Sequence, residues 1–310
     1  MGSRQPWPGA MTQSAPSSAP IDVSMIDRIV DAALRGAIRT ALALPYARRV
    51  AFMGAIARGV AGPVAGYRAR ALSNLASIHP DWPEARRRVI ARDVLDNFGR
   101  TLIENYSWRE FGARLAQTPI EGGGLPHLEA ARAEGRPVIF VTGHFGNHEA
   151  PRHALTGRGY QIGGLYRPAN NPLVNAHYAS TMTDVSGPVF PKGRKGTMGF
   201  VRHIAAGGMA TILFDLHARD GVPIPFLGRP ALTATTAADL ALRYDALLVP
   251  YWGIRQPDGL SFQIVVEEPI PPSSPRAMME DATRRLEIRV TAHPEQWFWV
   301  HRRWKGVGSQ

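Results

Sequence analysis

The sequence predicts an α/β fold, in which helices flank a largely parallel β-sheet and amphipathic helices precede it. From Pro137 onward, short apolar runs alternate with amphipathic stretches of helical length, which is the pattern of an α/β sheet. The run Val138–Val141 is apolar, rich in β-branched residues and followed closely by Gly143, as expected for an interior strand of a parallel sheet. A chain of 310 residues can bury the core that such a fold requires.

The N-terminal part divides into a polar tail and two apolar segments. Residues 1–20 are rich in Ser, Pro, Gly and Gln, a composition typical of a disordered tail. Ser24 is suited to cap a helix that reaches about Leu44, because apolar residues recur there at helical spacing. A second segment over 46–66, after Pro45, is rich in Ala, Val and Gly and carries several arginines.

Two interpretations of these helices remain open. Their apolar faces fit the core of a soluble domain, and they also fit a monotopic anchor with its apolar faces in lipid and its arginines at the headgroups. No stretch of 18 uncharged apolar residues occurs in the sequence, so we expect no standard transmembrane helix.

The rest of the chain predicts the elements of the sheet. Residues 70–105 are expected to form two helices around a loop, with Pro83 in the first turn of the second helix. The predicted strands that follow are Val138–Val141, Gln161–Tyr166, Ala210–Phe214, Ala246–Tyr251 and Ser261–Val266. The helices predicted between them lie at about 148–156, 172–186, 195–206 and 235–244.

Composition limits the possible chemistry. The sequence contains no cysteine, which excludes disulfide scaffolds, zinc sites built on thiolates and cysteine nucleophiles. The formal net charge of +11 favours anionic partners such as nucleic acid, anionic lipid or an acidic protein.

His144 and Glu149 are the first candidates for catalysis. The same spacing occurs in His79 and Glu84, where two prolines indicate a loop instead. Only His144 follows a predicted strand and a glycine-bearing turn, the position where α/β proteins hold their reacting groups. We expect His144 to act as a general base, and Glu149 to orient it and stabilise its protonated form.

Four segments, taken in order, carry a resemblance to a known family. They are Gly143–Glu149, Tyr166–Leu173, Ile224–Thr233 with the preceding Asp215, and His293–Lys305. In the last of them His-Pro-Glu-Gln-Trp is followed closely by His-Arg-Arg-Trp-Lys, a combination that is very improbable by chance. From about residue 70 to residue 305 the chain resembles the late acyltransferases of lipid A biosynthesis, the lauroyl/myristoyl transferase family.

The resemblance implies an enzyme of the wider glycerolipid acyltransferase fold, with a mixed, largely parallel sheet, docked on the cytoplasmic face of the bacterial inner membrane. Such an enzyme moves a fatty acyl chain from acyl carrier protein to a hydroxyl of a lipid A precursor or a related glycolipid. It uses no metal or other cofactor and forms no acyl-enzyme. On this basis we divide the chain into the tail at 1–20, membrane-associated helices at 21–68 and a catalytic domain at 69–310.

Further residues are assigned to the site on the same basis. Arg167 is expected to bind a phosphate or glucosamine headgroup, or to polarise the thioester, and Asp215 is expected to line the acceptor site. Backbone N–H groups around Phe145 and Gly146 are candidates for stabilising the oxyanion. Gly146 and Asn147 are also counted as substrate-binding, although Asn147 is better suited to hold the turn.

Two positions depart from the family pattern. His148 stands where the family usually has Trp, and Leu216 follows Asp215 where the family often has Gln or His. The first departure is expected to leave catalysis intact, and the second leaves the identity of the acceptor open.

Alternatives remain for several residues and for the function. Trp297, Trp299 and Trp304 fit an ordinary core as well as a membrane interface. The basic stretch 301–305 fits a solvated face as well as a surface for lipid phosphates or for acidic carrier protein. The competing functions are acylation of another membrane lipid, such as a phospholipid or aminolipid, and non-catalytic lipid binding. Nucleic-acid binding is supported by charge alone, and we expect no nucleic-acid partner.

Overall fold

The computed structural model describes residues 23–306, and it contains a seven-stranded sheet with helices packed around it. The predicted disordered tail at 1–20 lies outside the described residues. The strands of this sheet are β1 (Ile120–Glu121), β2 (Val138–Thr142), β3 (Ile162–Tyr166), β4 (Val189–Pro191), β5 (Met209–Leu213), β8 (Leu247–Arg255) and β9 (Phe262–Val266). A separate hairpin is formed by β6 (Val222–Phe226) and β7 (Arg229–Thr233).

The sheet is mixed and largely parallel, as the resemblance implies. Its strand order is β1-β9-β8-β2-β5-β3-β4, and only the β8–β9 pairing is antiparallel. All five residues of β2 are buried, because this strand lies in the middle of the sheet between β8 and β5. The carboxyl ends of β8, β2, β5, β3 and β4 therefore meet along one edge of the sheet.

Helices account for most of the remaining chain. They are α1 (Met25–Leu42), α2 (Tyr46–Ile56), α3 (Gly62–Val64), α4 (Tyr67–Ile78), α5 (Glu84–Tyr106), α6 (Trp108–Leu115), α7 (Gly124–Glu134), α8 (Ala150–Thr156), α9 (Pro172–Thr183), α10 (Arg194–Ala205), α11 (Thr236–Arg243) and α12 (Pro275–Ala292). A π-helical turn (Ala57–Ala61) joins α2 to α3, and a short 3-10 helix (Pro294–Gln296) follows α12.

The five predicted strands and the four helices between them are confirmed, with ends shifted by a few residues. The two predicted helices of residues 70–105 are α4 and α5, with Pro83 directly before α5. Strands β1 and β4, the hairpin, and helices α6, α7 and α12 were not predicted from the sequence.

Helix α1 is divided between the core and the surface. Ser24 caps it, since its hydroxyl accepts a hydrogen bond from the Asp27 N–H and the Asp27 carboxylate accepts one from the Ser24 N–H. Toward its C-terminus, Ile38 and Ala41 are buried in a core that α1 shares with α2, α5 and α8. At its N-terminal end the apolar side chains are exposed, and they are Met25, Ile26, Ile29 and Val30. The core interpretation therefore holds for one end of the helix and fails for the other.

Within residues 23–306, no single helix is both long and apolar enough to span a bilayer. One pair of helical segments, Tyr46–Val64 and Tyr67–Ile78, satisfies the length and composition requirements when taken together, but the two meet at 86°.

The chain after α12 returns to the centre of the molecule. Trp297 forms an antiparallel bridge with Phe145, in the turn that follows β2. Trp297 and Trp299 are buried, and they pack with Phe226 and Trp304 in one aromatic cluster. The core interpretation of these tryptophans is therefore confirmed for Trp297 and Trp299.

Candidate active site

The turn after β2 places His144 at the carboxyl edge of the sheet. Gly146 has a φ of 55°, and a Cβ there would lie 1.9 Å from the carbonyl oxygen of Gly253, so only glycine fits. Gly143 is constrained by the site itself, because a Cβ there would lie 3.1 Å from Oδ2 of Asp215. Both glycines thus serve the geometry of the turn.

The carboxylate that holds His144 belongs to Asp215. Oδ1 of Asp215 lies 2.8 Å from Nδ1 of His144, and Oδ2 accepts a hydrogen bond of 2.8 Å from the backbone N–H of the same histidine. The pairing of β2 with β5 continues to Phe214, whose N–H donates to the Thr142 carbonyl, and this brings Asp215 beside the turn. With Nδ1–H donating to Asp215, Nε2 of His144 carries the free lone pair, and 27% of the side chain is exposed.

Asp215 is buried and remains ionised. Its carboxylate accepts a third hydrogen bond, of 2.9 Å, from Nε1 of Trp297. Burial alone raises the pKa of Asp215, but the charge of His144 and the hydrogen bonds from His144 and Trp297 outweigh it and hold the pKa well below its usual range. The site therefore keeps an anion beside the imidazole, which stabilises the imidazole when it takes a proton.

Glu149 lies one turn further along the chain and pairs with a different cation. Oε2 of Glu149 lies 3.0 Å from Nη1 of Arg152, and Oε1 lies 3.9 Å from Nε2 of His148. Burial alone raises the pKa of Glu149, but Arg152, with His148 and His153, outweighs burial and lowers it. Within the described residues no hydrogen bond or ion pair joins Glu149 to His144. Glu149 was expected to be the carboxylate that orients His144. In the structure, Asp215 holds Nδ1 of His144 instead.

Gly146 and Asn147 contribute backbone support. The Gly146 N–H donates to the Gln296 carbonyl, and the Gly146 carbonyl accepts from Asn97 and Thr101. Asn147 is fully buried; its side chain donates to Glu104 and accepts from the Glu149 N–H. These contacts, and the full burial of Asn147, indicate that both residues hold the turn rather than reach a substrate. The Gly146 N–H is likewise removed from the candidates for the oxyanion.

A buried ion pair lies beneath this turn. The guanidinium of Arg255, at the end of β8, contacts both carboxylate oxygens of Glu104, at 2.5 and 2.8 Å, and it donates to Asn97. The Glu104 carboxylate also accepts from Asn147. The end of β8 and helix α5 are thus joined to the turn by hydrogen bonds of charged groups, which are stronger than those of neutral ones.

Aromatic side chains border the exposed face of His144. The ring of Phe298 stacks on the imidazole with centroids 5.8 Å apart, and Phe98 packs on Phe298 at 5.4 Å. His148 lies on another side, with its ring centroid 5.6 Å from that of His144. Burial lowers the pKa of His148 to about 4, so at neutral pH this ring is uncharged. The imidazole of His144 therefore lies between an apolar ring, Phe298, and an uncharged one, His148.

Arg167 lies further along the same edge. It follows β3, which is separated from β2 by β5, so the two strand ends are about 10 Å apart. Arg167 is exposed, and within the described residues its guanidinium has no acidic partner. The Lys192 N–H donates to the Tyr166 carbonyl at 2.7 Å, which brings the loop after β4 next to the loop that begins with Arg167. Three exposed cations follow β4: Lys192 lies in the loop, and Arg194 and Lys195 begin α10.

The C-terminal segment is the part of the site that residue types alone did not reveal. The sequence of this segment is distinctive, but it does not predict which residues the segment contacts. The side-chain amide of Gln296 pairs with both backbone groups of Arg255, and the Phe298 N–H donates to the His144 carbonyl. Arg303 is buried and donates to the carbonyls of Leu216 and Leu232, so at this position the basic stretch 301–305 is not a solvated face.

No group of three or more side chains suited to bind a metal ion occurs among residues 23–306. The histidines that come nearest to such a group have other partners. His144 binds Asp215, and His153 packs on Phe111.

Comparison of the sequence with those of known proteins places the chain in a family. A family model described as bacterial lipid A biosynthesis acyltransferase matches residues 21–306. The chain is 26% identical to a lipid A biosynthesis acyltransferase of Haemophilus influenzae over 75% of this chain and 74% of the relative. It is 27% identical to the lipid A biosynthesis lauroyltransferase of Escherichia coli, over 75% and 77% of the two chains. The myristoyltransferase of the same pathway in E. coli is 22% identical, over 75% and 73%. The family model covers all of the described residues, and this chain belongs to the bacterial lipid A biosynthesis acyltransferase family.

Proposed function

We propose that this protein transfers a fatty acyl chain from the thioester of acyl carrier protein to a hydroxyl of a lipid A precursor or a related glycolipid. The observation that carries the proposal is the pair formed by His144 and Asp215. A buried carboxylate holds Nδ1 of an imidazole that is partly exposed beside Phe298, in a chain of an acyltransferase family.

The pair is suited to deprotonating a hydroxyl. As the acceptor oxygen attacks the thioester carbon, Nε2 of His144 takes the hydroxyl proton. Asp215 stabilises the imidazolium that forms, and it fixes the tautomer that leaves Nε2 free. When the tetrahedral intermediate collapses, the C–S bond breaks and the leaving thiolate receives the proton from the imidazolium. Glu149 acts from the neighbouring helix by holding Arg152 and adding negative charge near His148.

The developing oxyanion needs a hydrogen-bond donor at the same edge. The backbone N–H of Phe145 donates to no acceptor within the described residues, whereas the N–H groups of His144, Gly146 and Asn147 are engaged. We therefore assign the oxyanion to the Phe145 N–H, with Arg167 as a further candidate to polarise the thioester.

The basic loops at this edge suit anionic substrates. Arg167 and the three cations after β4 lie about 10 to 15 Å along the edge from the end of β2, by the spacing of strands. We assign them to the phosphates of the acceptor or to the acidic surface of the carrier protein.

Helix α1 is suited to bind the membrane. Ile26 is 72% exposed and Ile29 is 62% exposed, and Met25 and Val30 extend the same surface. Val60 and Val64 are exposed on the following helical turns. Such apolar side chains insert into the headgroup region of a bilayer, while nearby arginines bind lipid phosphates. We propose that the protein docks in this way on the cytoplasmic face of the inner membrane.

The first test is turnover by the His144→Ala variant. Membranes that contain the wild type or the variant are incubated with acyl carrier protein thioesters of several chain lengths and a lipid A precursor, and the products are read by mass spectrometry. We expect an added acyl mass with the wild type alone, because the variant has no base for the hydroxyl. Turnover near the wild-type level in a folded variant would exclude His144 as the base.

The identity of the acceptor is tested in the same assay. Leu216 departs from the family pattern beside Asp215, so phospholipid and aminolipid acceptors are supplied in parallel. A product with one of these and none with the lipid A precursor would support acyl transfer and contradict the proposed acceptor. Binding of lipid without product from any acceptor would indicate a non-catalytic relative.

The membrane surface is tested by replacing Ile26 and Ile29 with Ser. We expect the double variant to sediment less with vesicles of anionic and zwitterionic phospholipid, by about tenfold in partition coefficient, because two apolar side chains no longer enter the lipid. The control is Ile288→Ser, which changes an apolar side chain of α12 that is 53% exposed. Equal binding of vesicles by both variants would contradict the proposal that α1 binds the membrane.

A further inference from the structure

Trp297 is a buried side chain with one polar group, and that group contacts Asp215. The indole N–H donates to Oδ2 of Asp215 at 2.9 Å, and only 1% of the residue is exposed. Tryptophan has no other hydrogen-bonding atom in its side chain. The one polar contact of this large core residue is therefore with the carboxylate that holds His144.

The Asp215 carboxylate has few other attachments. Of its three hydrogen bonds, two come from His144 itself, one from its backbone N–H and one from Nδ1. Among residues 23–306, Trp297 is thus the only donor that ties this carboxylate to another part of the chain. A carboxylate rotates easily about its last side-chain bond, because that torsion has a broad profile. One well-placed external donor is enough to restrict it.

The segment that carries Trp297 also holds the turn that carries His144. The Gln296 carbonyl accepts from the Gly146 N–H at 2.9 Å, and the Phe298 N–H donates to the His144 carbonyl at 3.0 Å. Gln296 is in turn fixed to the end of β8 through both backbone groups of Arg255. One short segment therefore sets the position of the histidine through its backbone and the position of the carboxylate through the indole.

We propose that Trp297 is a positioning residue for the reaction, acting through Asp215 to keep His144 in the tautomer and orientation that expose Nε2. This inference rests on the proposed function, because it assumes that His144 is the base. Without the indole N–H, Oδ2 of Asp215 keeps only the backbone N–H of His144, and the carboxylate is held less firmly. Nδ1–H of His144 then loses its fixed acceptor, and the fraction of molecules with a free lone pair on Nε2 falls.

The test compares Trp297→Phe with Trp299→Phe in the full-length protein. The two tryptophans are equally buried neighbours, with ring centroids 4.9 Å apart, and the Trp299 N–H donates to the Pro294 carbonyl instead. The same atoms are removed from the same aromatic cluster in both variants. A purely structural role would therefore lower the thermal midpoint and the activity of both to a similar extent.

We expect kcat of Trp297→Phe to fall about tenfold, the size of effect given by losing one hydrogen bond to a charged group. KM is expected to stay within about twofold, since the substrate does not contact the indole. Trp299→Phe is expected to keep kcat within about twofold. Wild-type kcat in Trp297→Phe, or an equal loss in both variants, would overturn the proposal.

A second measurement does not depend on turnover. In protein labelled with ¹⁵N-histidine, the His144 signals are assigned by their absence from the His144→Ala variant. At pH 8 the wild type is expected to show one protonated and one unprotonated ring nitrogen, Nδ1 and Nε2 respectively. In Trp297→Phe the two chemical shifts are expected to approach each other as the second tautomer is populated, while Trp299→Phe keeps the wild-type shifts. Unchanged shifts in Trp297→Phe would contradict the positioning role, and absence of wild-type turnover would contradict the proposed function alone.

Discussion

The loop after β5 places a buried carboxylate, Asp215, near His144, and the start of α8 places a partly buried one, Glu149; the two carboxylates have different partners. Asp215 is 71 residues away from His144 in the sequence and binds it twice. Glu149 is five residues away and binds Arg152. The difference arises because the β2–β5 pairing delivers Asp215 directly to the turn, whereas the chain enters α8 at Glu149, where Arg152 lies one turn away on the same helix. Closeness in sequence therefore did not decide which carboxylate serves the histidine.

The largest loss of activity is expected from Asp215→Asn. The amide would donate to Nδ1 of His144 instead of accepting from it, so that Nε2 carries the proton and cannot act as a base. We expect kcat to fall by about a thousandfold or more. The measurement is kcat with acyl carrier protein thioester and lipid acceptor, alongside circular dichroism to show that the fold is kept. Turnover within about tenfold of the wild type would show that another residue orients His144.

Glu149→Gln is expected to affect stability more than chemistry. The change leaves the buried guanidinium of Arg152 without its ion-pair partner, which costs about 3 kcal/mol of unfolding free energy. We expect kcat of the folded variant to fall less than tenfold, since Glu149 makes no hydrogen bond to His144. Urea unfolding gives the stability and initial rates give kcat. If this variant lost a thousandfold in kcat while Asp215→Asn kept its activity, the orienting role first expected of Glu149 would be restored.

The smallest expected effect concerns the pH dependence of stability on the Glu149 side. Burial lowers the pKa of His153, and that of the neighbouring His148, to about 4. Between the ordinary value near 6.5 and about 4, the unfolded chain binds protons that the folded protein does not. The free energy of unfolding therefore falls as the pH falls through this window, and this contribution stays constant below it.

His153→Gln tests this dependence. We expect the variant to lose about 2 kcal/mol less than the wild type between pH 7 and pH 5, because one of the buried titrating groups is gone. The measurement is urea unfolding at both pH values, with the exposed His127→Gln as the control. The carboxylates contribute separately and at lower pH, because the pKa values of Asp215 and Glu149 are lowered and their stabilisation is lost only below about pH 4. Identical curves for the wild type and His153→Gln would place the acid sensitivity elsewhere.

Several elements were predictable because local rules decide them. The first four residues of β2 are apolar, and all five residues of the strand are buried. The cap at Ser24 follows from the short polar side chain before an apolar-periodic segment. Helix α12 was missed although Ser274 caps it and Pro275 begins it, which is a recognisable start signal. The hairpin was harder to predict, because Pro223 and Pro225 argue against a strand.

The sequence by itself determined five strands of the main sheet and the four helices between them, the turn that carries His144, and membership of an acyltransferase family. These depend on periodicity, on glycine and on motifs of adjacent residues. Tertiary structure alone decided that Asp215 holds His144, that Trp297 holds Asp215, and that only one end of α1 is buried. Each of these depends on contacts between residues far apart in the chain, and the crossings of the sheet bring such residues together in a way that local propensity does not encode.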